Sequence, residues 1–497
     1  MFEKVLIANR GEIAIRVIRG CHALGIHTVL VYSTADRLSR AVRLADEAYC
    51  IGGPEAATSY LDTEKILAVA EESGADAIHP GYGFLSENAD FARAAAEKGI
   101  AFIGPNPRAI DEMGDKINSR NLMKEAGVPV IPGVEAESFT EDELKAAANK
   151  IGYPVMLKAT AGGGGKGIRI VHKEEDLWSS YERSVGESAK AFGDGRVFVE
   201  KAVLGPHHIE FQIFGDKHGN VVHLYERECS IQRRHQKVVE ETPSPFMTPE
   251  LRSAMAEAAI QSAKALGYDN AGTVEFLVDK DRNFYFLEVN TRLQVEHPIT
   301  EMILNVDLVT EQLKVAAGQP LSFTQEDLQP RGHAIEVRVC AEDPDNNYMP
   351  AVGTIQAMTL PQGPGVRLDS ALSQGMEIGL YYDSMLAKLI CYGKDRNEAL
   401  RRMMQALAEF KLSGLKTNIP FLGEVIRDAR FRYGEYDTSF LESFEKPELR
   451  QDLLDASIIA AAIYRHIHGT KAKKLVGGKG ALDPWKSYGR MKGVRRI

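Results

Sequence analysis

The first hundred residues alternate between short apolar runs and a segment with helical spacing. Apolar runs at 5–8, 27–33, 75–78 and 100–103 have the length and composition of buried strands. Between the first two runs, residues 11–24 carry apolar side chains at the spacing of one helix face. Strands that alternate with helices are typical of a parallel, doubly wound sheet. The pattern therefore predicts an N-terminal α/β domain.

The turn after the first strand argues against dinucleotide binding, the commonest function of such a domain. Residues 9–12 contain a single glycine, Gly11, whereas the dinucleotide fingerprint requires Gly-x-Gly-x-x-Gly. A glycine-punctuated segment, 79–88, follows a later strand. Ligands of open α/β sheets bind at such strand ends, so this segment is a candidate binding element. A tight turn with a helix cap at Ser86 is the alternative.

The rest of the chain divides into further units. The second unit leads into a strand over 152–158. The third begins near Arg331, with a strand over 333–339 and an amphipathic helix over 397–410. After this, an apolar helix pattern over 456–467 is followed by a lysine- and glycine-rich linker. The expected domains are 1–114, 115–330 and 331–446, with a tail at 447–497.

Composition narrows the class of protein. The 497 residues are 44% hydrophobic and 26% charged, which is typical of globular proteins, and the net charge of −9 disfavours a nucleic-acid-binding coat. No apolar run approaches the roughly 20 residues that span a bilayer, and the N-terminus leaves no room for a signal peptide. The five scattered cysteines indicate neither a disulfide framework nor a zinc site. We expect a cytoplasmic protein with no membrane or nucleic-acid partner.

A glycine cluster at 162–167 is the first chemical signal. Successive glycines let backbone N–H groups surround a phosphate without obstruction by side chains. The cluster is not a Walker A motif, because Lys166 is followed by Gly167. Lys158 on the preceding strand and Lys116 upstream add positive charge. Together they favour a nucleotide site, with a flexible hairpin loop as the alternative.

A β-hairpin pattern over 272–278 and 284–290 is the second signal. Strand alternation places Glu288 and Asn290 on one face, where Glu275 can lie opposite Glu288. Carboxylate and amide oxygens are ligands that Mg²⁺ prefers, and acids among apolar neighbours are costly to bury without a cation. The hairpin therefore predicts a magnesium site, with a solvated strand face as the alternative.

The chain continues with Arg292, Gln294 and Glu296, which lie on one side if the backbone stays extended. A cation, an amide and a carboxylate suit an oxyanion that is bound and then deprotonated, with Glu296 as general base. A charged run over 228–237 is interpreted as an anion-binding wall, with a solvated loop as the alternative. Cys229 in this run is expected to be an ordinary, semi-buried thiol.

These motifs together resemble the biotin carboxylase component of biotin-dependent carboxylases, in the ATP-grasp superfamily. The resemblance covers about residues 1–446. Its matching runs are 7–14, 79–88, 113–116, the glycine cluster, 232–237, 288–298, 336–338 and 381–385. It implies an α/β fold, α+β overall, with a doubly wound parallel-sheet domain, an ATP-grasp domain and a mixed α+β C-terminal domain. The ATP-grasp domain would carry a mobile lid over about 133–203.

The resemblance also implies roles for individual residues. The ATP phosphates would be held by Lys116, Lys158, Gly163, Gly164, Gly165, Lys166 and Gly167. Adenine would be surrounded by Glu200, Lys201, Val203 and Leu277, with His208, Gln232 and His235 nearby. Mg²⁺ or Mn²⁺ would be bound by Glu275, Glu288 and Asn290. Bicarbonate would be held by Lys237, Arg292, Gln294 and Val295 and deprotonated by Glu296, and Arg338 would stabilise the biotin enolate.

The implied activity is ATP-dependent carboxylation of biotin. Bicarbonate would attack the terminal phosphoryl group of ATP, and the resulting carboxyphosphate would break down to CO₂ and phosphate beside biotin. Phosphate would then take the ureido proton before carboxylation. Such an intermediate must be kept from water, which is the task expected of the lid.

The resemblance implies partner proteins as well. No Ala-Met-Lys-Met biotinylation sequence occurs, so biotin is expected on a separate biotin carboxyl carrier protein. A separate carboxyltransferase is expected too, in a homodimer or larger complex. The tail is expected to dock a partner through Trp485 and Tyr488, with a disordered tail as the alternative.

The final acceptor is left open by the sequence. An acyl-CoA such as acetyl-CoA or propionyl-CoA is favoured, and pyruvate and 2-oxoglutarate are alternatives. Another ATP-grasp ligase and a catalytically silent ATP-binding scaffold are the rival functions. The set Lys237, Arg292, Glu296 and Arg338 argues against both.

Overall fold

A computed structural model describes residues 1–134, 136, 138–159, 168–192, 195–446 and 451–469. Contacts divide the chain into a compact unit, Met1–Phe444, and a second unit, Glu445–Ile497. Among the described residues, no helix is both long and apolar enough to cross a membrane.

The N-terminal region forms the parallel sheet that its apolar pattern predicts. Its strands are β1 (Lys4–Ile7), β2 (His27–Ser33), β3 (Glu47–Gly52), β4 (Ala77–His79) and β5 (Ala101–Phe102). Its helices are α1 (Gly11–Ala23), α2 (Arg40–Leu44), α3 (Thr63–Ser73), α4 (Ala89–Glu97) and α5 (Pro107–Gly114). Within the described residues the strand order is β3-β2-β1-β4-β5, and every pairing is parallel.

The central strand β1 is apolar on both faces. Val5 and Ile7 pack in the cluster that includes α1, whereas Leu6 packs in a second cluster with residues of α3 and α4. All three side chains are fully buried. Helices therefore cover both faces of this sheet, as expected for a doubly wound fold.

The glycine-punctuated segment 79–88 turns tightly against the turn that follows β1. Asn9 donates from Nδ2 to the carbonyl oxygens of Pro80 and Tyr82, at 2.7 and 2.8 Å. Gly81 between them has φ +65°, and a Cβ there would lie 3.0 Å from Asn9 Nδ2. The helix cap proposed at Ser86 is wrong: the side chain of Asn88 caps α4 by accepting from the backbone N–H of Phe91.

The middle region contributes most of a large antiparallel sheet. Its elements are α6 (Lys116–Glu125), β6 (Gly133–Val134), α7 (Glu141–Ile151), β7 (Val155–Ala159), β8 (Ile168–Val171), α8 (Leu177–Phe192), β9 (Val197–Lys201), β10 (His207–Gly215), β11 (Val221–Arg233), β12 (Gln236–Thr242), α9 (Pro249–Leu266), β13 (Asn270–Val278), β14 (Phe284–Asn290), α10 (His297–Leu304) and α11 (Leu308–Ala316). The predicted hairpin over 272–290 is confirmed as β13 and β14, which pair with Glu275 opposite Glu288.

The C-terminal region completes that sheet and adds small β pairs and helices. Its elements are β15 (His333–Cys340), β16 (Glu342–Asp343), β17 (Met349–Pro350), β18 (Gly353–Thr354), β19 (Ala357–Thr359), β20 (Val366–Ser370), β21 (Glu377–Ile378), β22 (Met385–Gly393), α12 (Arg396–Glu409), β23 (Lys411–Ser413), α13 (Ile419–Arg427) and α14 (Ala429–Tyr433). The second unit contains α15 (Gln451–Gly469). In the described part of the chain the large sheet has the order β14-β13-β10-β11-β12-β15-β22-β20. The expected domain boundary near 331 therefore lies between two strands of one sheet.

The two faces of the large sheet differ in chemistry. Strand alternation sends Ile209 and Phe211 of β10 into an apolar core with α9. The intervening residues His208, Glu210 and Gln212 point to the opposite face, and they are buried as well. That polar face is where the candidate site lies.

A separate, smaller sheet lies within residues 133–203. In the described residues its order is β6-β9-β7-β8, and it packs with α7 and α8 around Leu144, Leu157 and Val199. The segment thus has its own hydrophobic core, which suits a lid that moves as a body, and the movement itself stays a prediction.

Candidate active site

Lys237 is the centre of a buried cluster of charges. Its Nζ donates to Glu210, to Glu275 Oε1 at 2.8 Å and to Glu296 Oε1 at 2.7 Å. The three acids come from β10, β13 and the start of α10, so one ammonium joins three elements. Although burial alone would lower it, these carboxylates hold the pKa of Lys237 well above its ordinary value. Lys237 is therefore charged at neutral pH.

Glu275 is surrounded by donors on the floor of the site. His208 Nε2 lies 2.8 Å from Glu275 Oε2, and Asn290 and Gln294 donate to Oε1 at 2.9 and 3.3 Å. Although burial alone would raise it, Lys237 and His208 hold the pKa of Glu275 well below its ordinary value. An ionised carboxylate beside an amide is a hard-oxygen donor set of the kind Mg²⁺ prefers, so these residues fit the predicted metal.

Glu288 lies opposite Glu275 in the register but in a different environment. Glu275 is buried, whereas Glu288 is exposed on β14, an edge strand of the sheet. The expectation that both acids are buried among apolar neighbours is therefore wrong for Glu288, which is exposed, while Glu275 is buried but among polar and charged groups. Among the His, Cys, Asp and Glu side chains of the described residues, Glu275 groups with His208 and Glu210, whose ligand atoms lie within 4.8 Å of one another.

Arg292 links the residues that follow β14. Its guanidinium donates to Asn290 Oδ1 and Gln294 Oε1, both at 3.1 Å, and to Glu87 Oε2 at 2.9 Å. The backbone is not extended here, because β14 ends at Asn290 and residues 291–296 turn into α10. The side chains of Asn290, Arg292 and Gln294 converge because the planar guanidinium of Arg292 bonds to the other two, and not because a strand aligns them.

Glu296 occupies the N-cap position of α10 between two cations. Lys237 donates to its Oε1, and Arg338 Nη2 donates to its Oε2 at 2.9 Å. Although burial alone would raise it, Lys237, Arg338 and Arg227 hold the pKa of Glu296 well below its ordinary value. The structure thus holds a buried carboxylate that is unprotonated at neutral pH, as a general base must be before it reacts.

Arg227 supports the cluster from within the sheet. It is fully buried, and its guanidinium donates to Glu210 Oε1 at 2.5 Å and to Gln212, Thr273 and Thr300 at 2.7 to 3.1 Å. Glu210 therefore lies between Arg227 and Lys237. This pairing offsets much of the cost of placing a carboxylate in the interior.

Arg338 is held by a second buried carboxylate. Its Nε donates to Glu240 Oε1 at 2.6 Å, while Nη2 reaches Glu296. Glu240 lies opposite Glu336 in the β12–β15 register, and Glu240 Oε2 and both oxygens of Glu336 are buried without hydrogen-bond partners. Burial raises the pKa of Glu240 to about 7 and that of Glu336 well above its ordinary value. Arg338 thus lies near two buried carboxyl groups with raised pKa values, those of Glu240 and Glu336.

The residues assigned to adenine fall in two groups. Lys201, at the end of β9, donates to the carbonyl oxygens of Gly152 and Tyr153, and Val203 follows two residues later, partly buried. Leu277 of β13 lies opposite His208 of β10, and Gln232 Nε2 is 3.3 Å from His208 Nδ1. His235 is exposed at the β11–β12 turn with φ +66°. Leu277, His208 and Gln232 are therefore brought together.

The residues assigned to the phosphates are only partly described. Lys158 of β7 lies 3.5 Å from Glu200 of β9, and the two strands pair directly. Lys116 begins α6. The glycine cluster from Gly163 to Gly167, with Lys166, lies outside the described residues.

The charged run 228–237 is a β-hairpin, so the alternative of a solvated loop is wrong. It spans the end of β11 and the start of β12, with a turn at Arg234 and His235. Cys229 is fully buried, with Sγ 3.9 Å from Glu296 Oε1, and burial raises the pKa of its thiol well above the ordinary value. Cys229 is therefore more buried than expected and is not a thiolate.

Sequence reasoning missed several charged residues of this region. These are Glu87, Glu210, Arg227, Glu240, Glu336 and Lys388. A signal exists for Glu210, since it interrupts the apolar positions of 207–215 with the period of a strand. Glu87 and Glu336 lie within the matching runs 79–88 and 336–338, although no role was assigned to either of them. Arg227, Glu240 and Lys388 have no such signal, because their roles depend on which strands become neighbours.

Three family models match the chain in succession. The biotin carboxylase N-terminal domain matches residues 1–110, the carbamoyl-phosphate synthase L chain ATP-binding domain matches 115–324, and the biotin carboxylase C-terminal domain matches 336–443.

Individual relatives are similar over most of the chain. The biotin carboxylase of Halalkalibacterium halodurans is 53% identical over 446 residues, covering 90% of this chain and 98% of that protein. The alpha subunit of the mitochondrial methylcrotonoyl-CoA carboxylase of Dictyostelium discoideum is 49% identical over 494 residues, covering 98% of this chain and 70% of that protein.

A solved structure shows the same fold. It is the biotin carboxylase domain dimer of Hydrogenobacter thermophilus 2-oxoglutarate carboxylase, in complex with MgADP, ADP and bicarbonate. It superposes with a TM-score of 0.83 at 51% identity, covering 89% of this chain and 97% of that one.

Proposed function

This chain belongs to the biotin carboxylase family and is an ATP-dependent ligase, and we propose that it serves as the biotin carboxylase subunit of an acyl-CoA carboxylase. Its substrates are ATP, bicarbonate and biotin carried on a protein, and its metal is Mg²⁺. The observation that carries the assignment of catalytic roles is the buried array of Lys237, Glu296 and Arg338.

In the proposed mechanism, bicarbonate binds beside Lys237 and the guanidinium of Arg292, with the Gln294 amide and the Val295 backbone as further donors. Glu296 then removes its proton. Because Lys237 and Arg338 hold Glu296 ionised, no prior deprotonation is needed. Two fixed cations in a site removed from water also stabilise the negative charge that develops on the oxygens.

We assign Arg338 to the second step. Its guanidinium is held by Glu240 and Glu296, so it presents a fixed positive charge at the edge of the site. A fixed cation of this kind suits the oxygen of a biotin enolate, which forms when the ureido proton leaves. Arg338 thereby joins the carboxylate that activates bicarbonate to the place where biotin reacts.

The ATP-binding assignments complete the proposal. We place the phosphates against Lys116, Lys158 and the glycine cluster, and adenine against the group that contains Leu277. Glu275, Glu288 and Asn290 would hold Mg²⁺, which would neutralise charge on the phosphates. The segment 133–203 is proposed as the lid, within a division of the chain at 114, 330 and 446.

Partners follow from the chemistry. A biotin carboxylase works with a biotinylated carrier and a carboxyltransferase, and we propose that here these are separate polypeptides and that the chain forms a homodimer or larger complex. An acyl-CoA acceptor is favoured because the similarity to the methylcrotonoyl-CoA carboxylase alpha chain extends over 98% of this chain and so includes the tail. We propose that this tail docks a partner subunit.

The first test is ATP cleavage by the purified chain with Mg²⁺. We expect phosphate release to require bicarbonate and to rise when free biotin is added. Cleavage that ignores bicarbonate, or that instead requires an amine substrate, would contradict the assignment of the site. ATP binding without any cleavage, with a biotinylated carrier present, would favour a silent scaffold.

The acceptor is tested by isotope transfer. The chain is assembled with the carrier and carboxyltransferase that co-purify with it and is given labelled bicarbonate. We expect label in an acyl-CoA product when acetyl-CoA, propionyl-CoA and 3-methylcrotonoyl-CoA are offered one at a time. Label in the products of pyruvate or 2-oxoglutarate instead would overturn the acyl-CoA assignment and leave the biotin carboxylase step intact.

A further inference from the structure

Lys388 is a second buried lysine at the site, and the proposed mechanism gives it no role. It lies on β22, is fully buried, and is opposite Arg338 of β15 in the register. Its Nζ donates to the carbonyl oxygen of Val295 at 2.8 Å and lies 3.2 Å from Glu12 Oε1. One ammonium thus joins the N-terminal region, the segment before Glu296, and the C-terminal part of the large sheet.

Burying this ammonium is expensive unless its partners compensate. Lys388 faces charged and titratable groups from every neighbouring element: Glu12 of α1, Tyr82, Arg338 and Glu336 of β15, Asp369 of β20 and His297 of α10. Asp369 is already paired with Arg367, and Tyr82 donates to Glu12. Isolated buried charges cost several kcal/mol each, so a lysine is an unusual choice at a position where an apolar side chain would pack.

The backbone segment that Lys388 contacts explains why a lysine occupies this position. Residues 291–296 lie between β14 and α10 and carry Arg292, Gln294 and Glu296. Because these residues form no strand ladder, their geometry depends on side-chain bonds. The Val295 carbonyl belongs to the peptide that leads directly into Glu296, so a donor on that oxygen fixes the orientation of the peptide.

We propose that Lys388 is a positioning residue for bicarbonate: its bond to the Val295 carbonyl holds the 291–296 segment so that Arg292, Gln294 and Glu296 converge. The inference rests on the proposed role of that segment. A charged donor on a carbonyl is stronger than a neutral one and has no competing water in a buried site. Loss of the bond leaves the segment free to rotate its peptide away.

Three variants of the full chain separate positioning from simple support. Lys388→Met replaces the ammonium with an apolar group of similar length. Glu12→Gln removes the partner charge but keeps the bond to Val295. The double variant Glu12→Gln/Lys388→Met removes both charges, so Glu12 is not left as a buried carboxylate without its cation, and it carries the test if Lys388→Met alone does not fold.

Lys4→Met is the matched control. Lys4 also donates to a carboxylate and a backbone carbonyl, Glu47 Oε1 at 2.9 Å and Ser73 O at 2.7 Å, but in the N-terminal region. The KM values for bicarbonate and MgATP are measured from bicarbonate-dependent ATP cleavage. Amide hydrogen exchange over 291–297 gives a second readout that does not depend on activity.

We expect Lys388→Met and the double variant to raise the KM for bicarbonate about tenfold or more, the effect of losing one charge-assisted bond. The KM for MgATP should stay within twofold, and amide hydrogen exchange over 291–297 should become faster. Glu12→Gln and Lys4→Met should leave both readouts near the parent.

Two results would overturn the inference. One is a folded double variant with the parent's KM for bicarbonate and the parent's exchange, which would show that Lys388 only balances Glu12. The other is a parallel rise in both KM values in every variant, Lys4→Met included. A parent chain whose cleavage ignores bicarbonate contradicts the proposed function instead, and the exchange data still decide whether Lys388 holds the segment.

Discussion

The strands β1 and β10 are both buried on both faces, yet they bury opposite chemistry. In β1, Val5, Leu6 and Ile7 are fully buried, and they pack in apolar clusters. In β10, all nine residues are buried, but alternate positions carry His208, Glu210 and Gln212. Burial of β1 contributes to stability through the hydrophobic effect, whereas burial of the β10 polar face opposes folding unless each group finds a partner.

The pKa of a buried histidine also shifts in opposite directions in the two regions. His79 ends β4 in the N-terminal sheet, and burial lowers its pKa to about 3, so it stays neutral. His208 is also buried, but although burial alone would lower it, Glu275 raises the pKa of His208 above its ordinary value. The N-terminal sheet neutralises its buried histidine, while the large sheet keeps charges and pairs them. The proposed chemistry requires the buried charges of the large sheet. Mutations in the large sheet should therefore affect activity, whereas mutations in the N-terminal sheet should affect stability.

The largest effect is expected from Glu296→Gln. The amide cannot accept the proton of bicarbonate, so bicarbonate-dependent ATP cleavage should fall by about 10² to 10⁴, the range of a general base. The kcat measured at saturating bicarbonate checks this. The glutamine keeps one oxygen that can accept from Lys237 or Arg338, and both cations keep their other carboxylates, Glu210 and Glu275 for Lys237 and Glu240 for Arg338. The variant should therefore stay folded while its kcat falls.

Glu311→Gln is the matched control for that variant. Glu311 of α11 is also buried and accepts from the backbone N–H of Ser322 at 2.6 Å, but its helix packs into the core cluster beside the N-terminal sheet. It should keep the parent kcat. If both variants lose activity equally, or Glu296→Gln retains it, the large sheet does not have the special role assigned to it.

The complementary change is Leu6→Ala on β1. Removing a fully buried leucine leaves a cavity, so the free energy of unfolding should fall by about 2–5 kcal/mol. The KM values for bicarbonate and MgATP should be unchanged at a temperature where the variant is folded. Urea denaturation and steady-state kinetics on the same sample measure both. A raised KM for bicarbonate would show that the apolar sheet also sets the site geometry.

A pH experiment separates the two kinds of burial further. Burial raises the pKa of Glu240 to about 7, above the ordinary value near 4.5, among Arg338, Glu296, Lys237 and Glu336. Between these values the folded state holds a proton that the unfolded state has lost, so this group makes the protein less stable as pH rises from about 4.5 to 7. The full effect is about 3 kcal/mol.

Glu240→Gln should remove this part of the pH dependence. The free energies of unfolding of the parent and the variant are measured from pH 5 to 8. The two curves should diverge as pH rises, because the variant should lose less stability than the parent. Curves that run parallel across the range would show that the carboxyl of Glu240 does not titrate there. The burial of apolar side chains in a strand such as β1 has no comparable pH dependence.

The same contrast explains what could be predicted from the sequence. Strands β1, β2, β4 and β5 of the N-terminal sheet were predicted because each is a short apolar run, whereas β3 was missed because only Ile51 in it is buried. The β13–β14 hairpin was predicted because polar and apolar positions alternate across a turn. The pairing of Glu275 with Glu288 followed from that alternation and is confirmed. Such patterns are local, so they can be recognised in the sequence without knowledge of the fold.

Contacts between distant segments could not be predicted in this way. Glu87 reaches Arg292 across 205 positions, and Lys388 reaches Val295 across 93. The exposure of Glu288 depends on β14 being an edge strand, which no pattern in 284–290 reveals. The extended path from Arg292 to Glu296 also failed, because residues 291–296 turn into α10 and Glu296 is its N-cap. Strand order and helix starts place these side chains, and both depend on the whole chain.

The smallest expected effect comes from Asn88→Ala, which tests how sharply the two kinds of region are divided. Glu87 and Asn88 are adjacent, but Glu87 accepts from Arg292 of the site while Asn88 accepts from the N–H of Phe91 and caps α4. Loss of an N-cap costs about 1 kcal/mol, so the free energy of unfolding should fall by that amount. The KM for bicarbonate should not change, because the Glu87 side chain keeps its bond to Arg292. If Asn88→Ala raises that KM, the start of α4 itself positions Glu87, and the division between apolar scaffold and charged site fails at this residue.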